Sequence, residues 1–227
     1  GDAAAAPDVR ATLEHSDNAD MRVEAVKALG TLGSAEDVPL IVGLAGEAPE
    51  AEQEAARRAL VLLPGEEVSM AIAGQISAAP SAMKVVFLEI LTTRRARNTI
   101  PTVLMAAVGD DASVRRAAMV SMGQLGDSKH IADMAKAVLK AERGRERDAA
   151  ERALAQVAHR IDDKDKQATP LLEAMGDFSS SERMFLLPAL GRIGGPEARR
   201  VIEQNLKDPN PTRHDISLTA LCNWPDS

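Results

Sequence analysis

Tyrosine is missing from this 227-residue chain, tryptophan occurs once and phenylalanine three times, so aromatic residues make up only 2% of it. Strands of a β-sandwich favour aromatic and β-branched side chains, whereas an interior of Ala, Leu, Val and Met suits thin layers of packed helices. Cysteine is nearly missing too: Cys222 alone excludes an internal disulfide and a multi-cysteine zinc site, and it leaves the compartment open. No apolar run approaches the roughly 20 residues that a membrane helix needs, so no membrane partner is expected. An excess of positive charge is lacking as well. The formal net charge is −7, which disfavours attraction to phosphate backbones and makes nucleic acid a poor partner. What is present, 45% hydrophobic and 27% charged residues, is the composition of a folded protein rather than a disordered one.

The folded interior repeats. Anchored on Leu29 of "KALGTLG", equivalent positions recur at Leu60, Leu91, Met122, Leu154, Leu190 and Leu221, with spacings of 31, 31, 31, 32, 36 and 31 residues. The positions three and four before each anchor and three after it, mostly apolar as in Ala25, Val26 and Leu32, share one face of a helix. Gly or Pro follows in "GTLGS", "LLPGEE", "GQLGD" and "GRIGGP", where the chain is expected to leave helical geometry, often through a left-handed residue. A second apolar-periodic segment then begins with proline in its first turn, as in Val38-Pro39 and Ile100-Pro101, which stand 62 residues apart. Six helix pairs result, at 19–48, 49–79, 80–110, 111–143, 144–177 and 178–209, with single helices at 7–16 and 211–223. The insertion in "HRIDDKDKQA" is expected to form a polar loop or an extended helix end. Pairs two and three lack the L-G-x-L-G turn: Val61-Leu62-Leu63-Pro64 and Thr92-Thr93-Arg94-Arg95 replace it.

Residues 114–127 nearly spell "VRRAAxxALGxLGD", and on that phrase the chain resembles HEAT repeats, particularly the short bacterial type related to the phycobilisome-lyase HEAT-like repeats. The resemblance implies an all-α, armadillo-like fold, a right-handed α-α superhelix (solenoid) in which each pair buries its apolar face on its neighbours. Residues 1–227 then form one repeat domain, expected to be a fragment of a longer protein.

Most chemistry-bearing residues have a structural reading. A basic residue stands seven before most anchors (Arg22, Lys84, Arg115, Arg147, Arg183, and Arg213 one out of step), and an acid five before it recurs at Asp17, Asp110 and Asp208. These read as capping aspartates and as arginines bridging adjacent repeats. His15, His130, His159 and His214 lack metal-ligand spacing, and "DDKDK" lacks the Gly and distal Glu of a calcium loop. "GRIGGP" lacks a preceding strand and G-K-[ST], no serine-nucleophile motif occurs, and Cys222 beside Trp224 reads as core. Arg94, Arg95 and Arg97, Arg143, Arg145 and Arg147, and Arg199 and Arg200 read as solvated edges at helix ends. No catalytic residue, metal ligand or cofactor is assigned.

The expectation is therefore a non-catalytic scaffold or adaptor whose second helices line a concave surface for a protein or an attached domain. Its candidate contacts are Glu36, Lys129, Asp133, Lys136 and Lys140. Three alternatives remain open. The chain could be the spacer or regulatory arm of a larger enzyme. It could be a bilin-lyase-like subunit, although aromatics and histidines to line a bilin pocket are scarce. It could also grip DNA through its arginine edges, as some HEAT-like proteins do, against its acidic total.

Overall fold

The computed structural model describes residues 3–225, so Gly1, Asp2, Asp226 and Ser227, the ends of the expected repeat domain, lie outside the described residues. Among the described residues the chain is all-α, with fourteen α-helices, five short 3-10 turns and no strand. Contacts divide it into two compact units, Gly1–Thr99 and Ile100–Ser227.

The first unit holds α1 (Ala6–His15), α2 (Ala19–Leu32), α3 (Val38–Glu47), α4 (Glu50–Leu62), α5 (Glu66–Gln75) and α6 (Ser81–Thr93). The second holds α7 (Ile100–Ala107), α8 (Ala112–Leu125), α9 (Ile131–Lys140), α10 (Arg145–Ala158), α11 (Thr169–Met175), α12 (Ser180–Ile193), α13 (Pro196–Leu206) and α14 (Pro211–Cys222). Six pairs with single flanking helices fall in the expected order, and within each unit they stack as in an α-solenoid. First helices form one layer, with α2 against α4 in one unit and α8, α10, α12 and α14 in succession in the other; second helices form the other layer. Among consecutive helices the most extensive packing joins the second helix of one pair to the first of the next, as in α3–α4 and α7–α8. The turn between α3 and α4 is only Ala48-Pro49, whereas a 3-10 turn at Ala35–Asp37 separates α2 from α3. The insertion forms a loop between α10 and α11 that carries a 3-10 turn at Lys164–Lys166.

The anchor series lines the interior: Leu29, Leu60, Leu91, Met122, Leu154 and Leu190 are all fully buried, and Leu221 is half-buried. The residue after the anchor explains how closely the first helices approach. A Cβ on Gly30 would stand 2.8 Å from Ala59 Cα, one on Gly123 3.3 Å from Ala153 Cα, and one on Gly191 would overlap the backbone carbonyl of Ala220. Each glycine thus seats an alanine that stands just before the next anchor. Gly65, Gly194 and Gly195 have the positive φ expected of the breaker turns, whereas Gly33 and Gly126, four residues past their anchors, have negative φ, which corrects the left-handed turn expected there. Close approach requires them instead: a Cβ at either would lie 2.7 Å from the carbonyl oxygen of its own helix's anchor.

Other expectations are corrected. The N-caps are Asn18, Asp111 and Asn210 rather than Asp17, Asp110 and Asp208, because it is their Oδ1 that accepts from the first-turn amides. Arg22 and Arg115 do bridge neighbouring pairs, gripping Glu52 and Glu146 bidentately at 2.7–3.0 Å. The wider pattern is that these arginines also close on carbonyls just before their own helix: Arg22 on Leu13, Arg115 on Asp110, Arg147 on Ala141 and Arg183 on Phe178. Among the described residues Arg147 has no such carboxylate and instead shares the Phe185 ring with Arg143, each about 5 Å from its centroid.

Arg94 is not a solvated edge. Its guanidinium donates to the carbonyls of Leu60, Val61, Leu63 and Gly65 at 2.7–2.9 Å and to Ser69 Oγ at 3.0 Å. The departures of pairs two and three are therefore complementary: α4 ends without the glycine turn, and an arginine at the end of α6 takes up its carbonyls. Arg160 does the same for Gly123 and Gly126 in the second unit. Cys222, expected in the core, is exposed, because α14 buries its Ser217 and Ala220 side and leaves Leu218 and Cys222 outside.

Candidate functional site

The expected partner contacts fall in different places. Glu36 is exposed on the 3-10 turn before α3 in the first unit. Lys129, Asp133, Lys136 and Lys140 come together in the second unit, on α9 and the turn Ser128–His130 that leads into it. That turn is built locally: Asp127 Oδ1 accepts from the Lys129 amide, and the His130 ring nitrogen accepts from the Asp127 amide at 3.1 Å. Ile131, Met134, Ala135 and Val138 then fix the buried side of α9 and force Asp133, Lys136 and Lys140 outward.

These charges are paired among themselves and with near neighbours. Lys136 donates to Asp133 at 2.8 Å, and this hydrogen bond, helped by the carboxylate's charge, holds the ammonium above its ordinary value. Lys140 lies 3.6 Å from Asp110 and Lys129 3.4 Å from Asp127. All of these pairs are exposed and individually weak, so a partner can exchange them at little cost.

Sequence reasoning missed what lies beside them. Helix α7 packs on α9, and Met105 and Val108, a residue of the turn beyond α7, are 74% and 42% exposed. The visible signal was the apolar excess of "TIPTVLMAAV", too rich in large apolar residues for a helix with one buried face. Together the two segments present an apolar strip next to lysine–aspartate pairs, chemistry suited to a partner with apolar and charged residues.

Histidines have backbone duties. His159 Nε2 donates to Ile193 O at 3.0 Å, and His15 Nδ1 to Ala11 O at 2.8 Å. Among the described residues no group of three His, Cys, Asp or Glu could hold a metal ion, and no helix is long and apolar enough to cross a membrane.

No family model matches the chain, and no curated protein matches it. Solved structures similar to it include two engineered proteins. One is 16% identical over 95% of this chain and 67% of its own, with a TM-score of 0.47. The other is 17% identical over 95% of this chain and 96% of its own, with a TM-score of 0.31.

Proposed function

We propose that the chain is a non-catalytic interaction module of HEAT-like repeats, coiled as a right-handed superhelix, that docks a protein or an attached domain on its second-helix layer. One observation carries this reading. The recurring residues, from the anchors and their glycines to Arg22, Arg94 and Arg115, are spent on internal packing and bonds, while α7 and α9 leave an apolar strip beside exposed lysine–aspartate pairs on the surface. A chain built this way offers surface, not reactive geometry.

The test begins with capture from the native lysate and continues with the purified partner and this chain in a binary titration. Met105→Asp and Lys136→Glu should each weaken the complex tenfold or more, whereas Lys27→Glu, on α2 of the other unit, should not. A complex indifferent to both strip variants, or reproducible turnover by the isolated chain, contradicts the proposal.

A further inference from the structure

The first unit contains a half-open cavity of about 310 Å³, within the size range of small-ligand pockets. It is lined by Val42, Gly43, Gly46 and Glu47 from α3, by Gln75 and the Ala78–Pro80 stretch after α5, and by Met83 and Phe87 from α6. Its walls are mostly apolar, and no basic residue lines it.

Three features of this cavity are unexplained by packing. Gly43 and Gly46 sit inside a helix, where glycine is unfavourable. A Cβ at Gly43 would meet nothing within 4 Å, and one at Gly46 only the Met83 side chain, at 3.8 Å or more. Neither glycine is needed for the chain to fit itself, and both line the cavity. Glu47 is the last residue of α3, where a negative charge opposes the helix dipole, and it has no ion pair or side-chain hydrogen bond among the described residues. Gln75, at the end of α5, has none either.

The charges and helix ends lining this spot are mostly negative. The C-termini of α3 and α5 both reach it, each equivalent to roughly half a negative charge, and the Glu47 carboxylate adds a full one. The N-terminus of α6 at Pro80 offsets only one of the helix ends. The surrounding unit reinforces this balance, with fifteen acidic residues against nine basic ones in residues 1–99.

We propose that this cavity binds a small organic cation, an ammonium group on an apolar body, with Glu47 and the Gln75 amide oxygen meeting the head group and Met83, Phe87 and Val42 enclosing the body. The site lies in the other unit from the α7–α9 strip and does not depend on it.

The probe is phenethylammonium, compared with its neutral and anionic counterparts 2-phenylethanol and phenylacetate and read by the Met83 methyl resonance of methionine-labelled protein. Phenethylammonium should shift that resonance saturably with a Kd on the order of 1 mM, as suits so small a ligand, and phenylacetate should not shift it. Exposed Glu47 can change without harm to the fold, and Glu47→Gln should weaken binding about tenfold. Gly43→Leu, which projects into open space, should abolish it, with helical content retained. No saturable shift with phenethylammonium, equal affinity for all three probes, or binding undiminished in both variants overturns the proposal.

Discussion

Replacing the anchor-following glycines by alanine, with Gly43 of α3 as the reference, tests how the first helices stack, because the effect should run from a gain at the reference to a growing loss along the series. Glycine-to-alanine in a helix gains about 0.5–1 kcal/mol when the new methyl group has room. Gly43 has that room, so Gly43→Ala should stabilise by about that amount. At Gly123 the nearest atom is the end of the exposed Gln156 side chain, at 2.8 Å, which can swing away; Ala153 Cα at 3.3 Å then gives slightly, and the net effect should lie near zero. Gly30 faces backbone, with Ala59 Cα at 2.8 Å, so α2 and α4 must part. Overpacking of this kind costs about 1–3 kcal/mol, for a net loss of about 1–2 kcal/mol at Gly30. At Gly191 the methyl group overlaps the Ala220 carbonyl, which α14 cannot withdraw without losing its seat, and the loss should reach about 3 kcal/mol. Urea unfolding measures this. With a slope of roughly 2 kcal/mol per molar, Gly191→Ala should lower the midpoint by about 1.5 M. The single Trp224, whose ring lies 3.8 Å from the position of a Cβ on Gly194, reports the transition of the second unit. A midpoint for Gly191→Ala within experimental scatter of the parent, or Gly43→Ala more destabilising than Gly30→Ala, would refute the stacking account.

Further consequences are measurable in the same way. Arg94→Ala should destabilise the first unit by about 2–4 kcal/mol, and Arg94→Lys should recover less than half, because one ammonium cannot reach the carbonyls that the planar fork spans. Arg95 stands at φ +54 in the turn that ends α6, where Ala96 N donates to Leu91 O and Arg95 N to Thr92 O; Arg95→Gly should therefore stabilise by about 1 kcal/mol. Two carboxyls on α10 should titrate in opposite senses. Burial pushes both upward, but at Glu146 the Arg115 guanidinium and the Glu142 amide outweigh it and lower the value, whereas at Glu151 burial prevails over Arg192. The Glu146 contribution is then present above the ordinary carboxylate range and lost as pH falls through its lowered value. Glu151 favours the fold when protonated, and that part of the stability fades as pH rises from the ordinary value through the raised one. Glu146→Gln should flatten the acid limb of the stability profile, and Glu151→Gln the limb above it.

How far these features could be read beforehand depended on whether they repeat. The anchors were legible because a buried position recurs every thirty-one residues or so, and burial follows helical spacing. The caps were misplaced by one or two residues because Asp17-Asn18 and Asp110-Asp111 offer two suitable side chains in a row, and backbone geometry selects the second. Arg94 was illegible because its partners are backbone carbonyls of the preceding pair, 29 to 34 residues away, which no side-chain pattern marks. Arg192 likewise meets Glu151 and Asp148 across 41 and 44 residues, a spacing no local pattern announces. The charged residues of α9 could be placed on the surface, since polar positions of an amphipathic helix face out, but their neighbours Met105 and Val108 could not, because an apolar residue reads as core until its surroundings are known. The cavity in the first unit left a fainter trace still: two glycines, three residues apart, in a helix that has no packing need of them.

The most direct test of the account is a proton NOE measurement on the folded chain between glycine Hα and alanine methyl groups. The account predicts cross-peaks for Gly30 with Ala59, Gly123 with Ala153 and Gly191 with Ala220, pairs about thirty residues apart that meet only if neighbouring first helices touch at those glycines. Absence of all three in a helical, folded sample would contradict it.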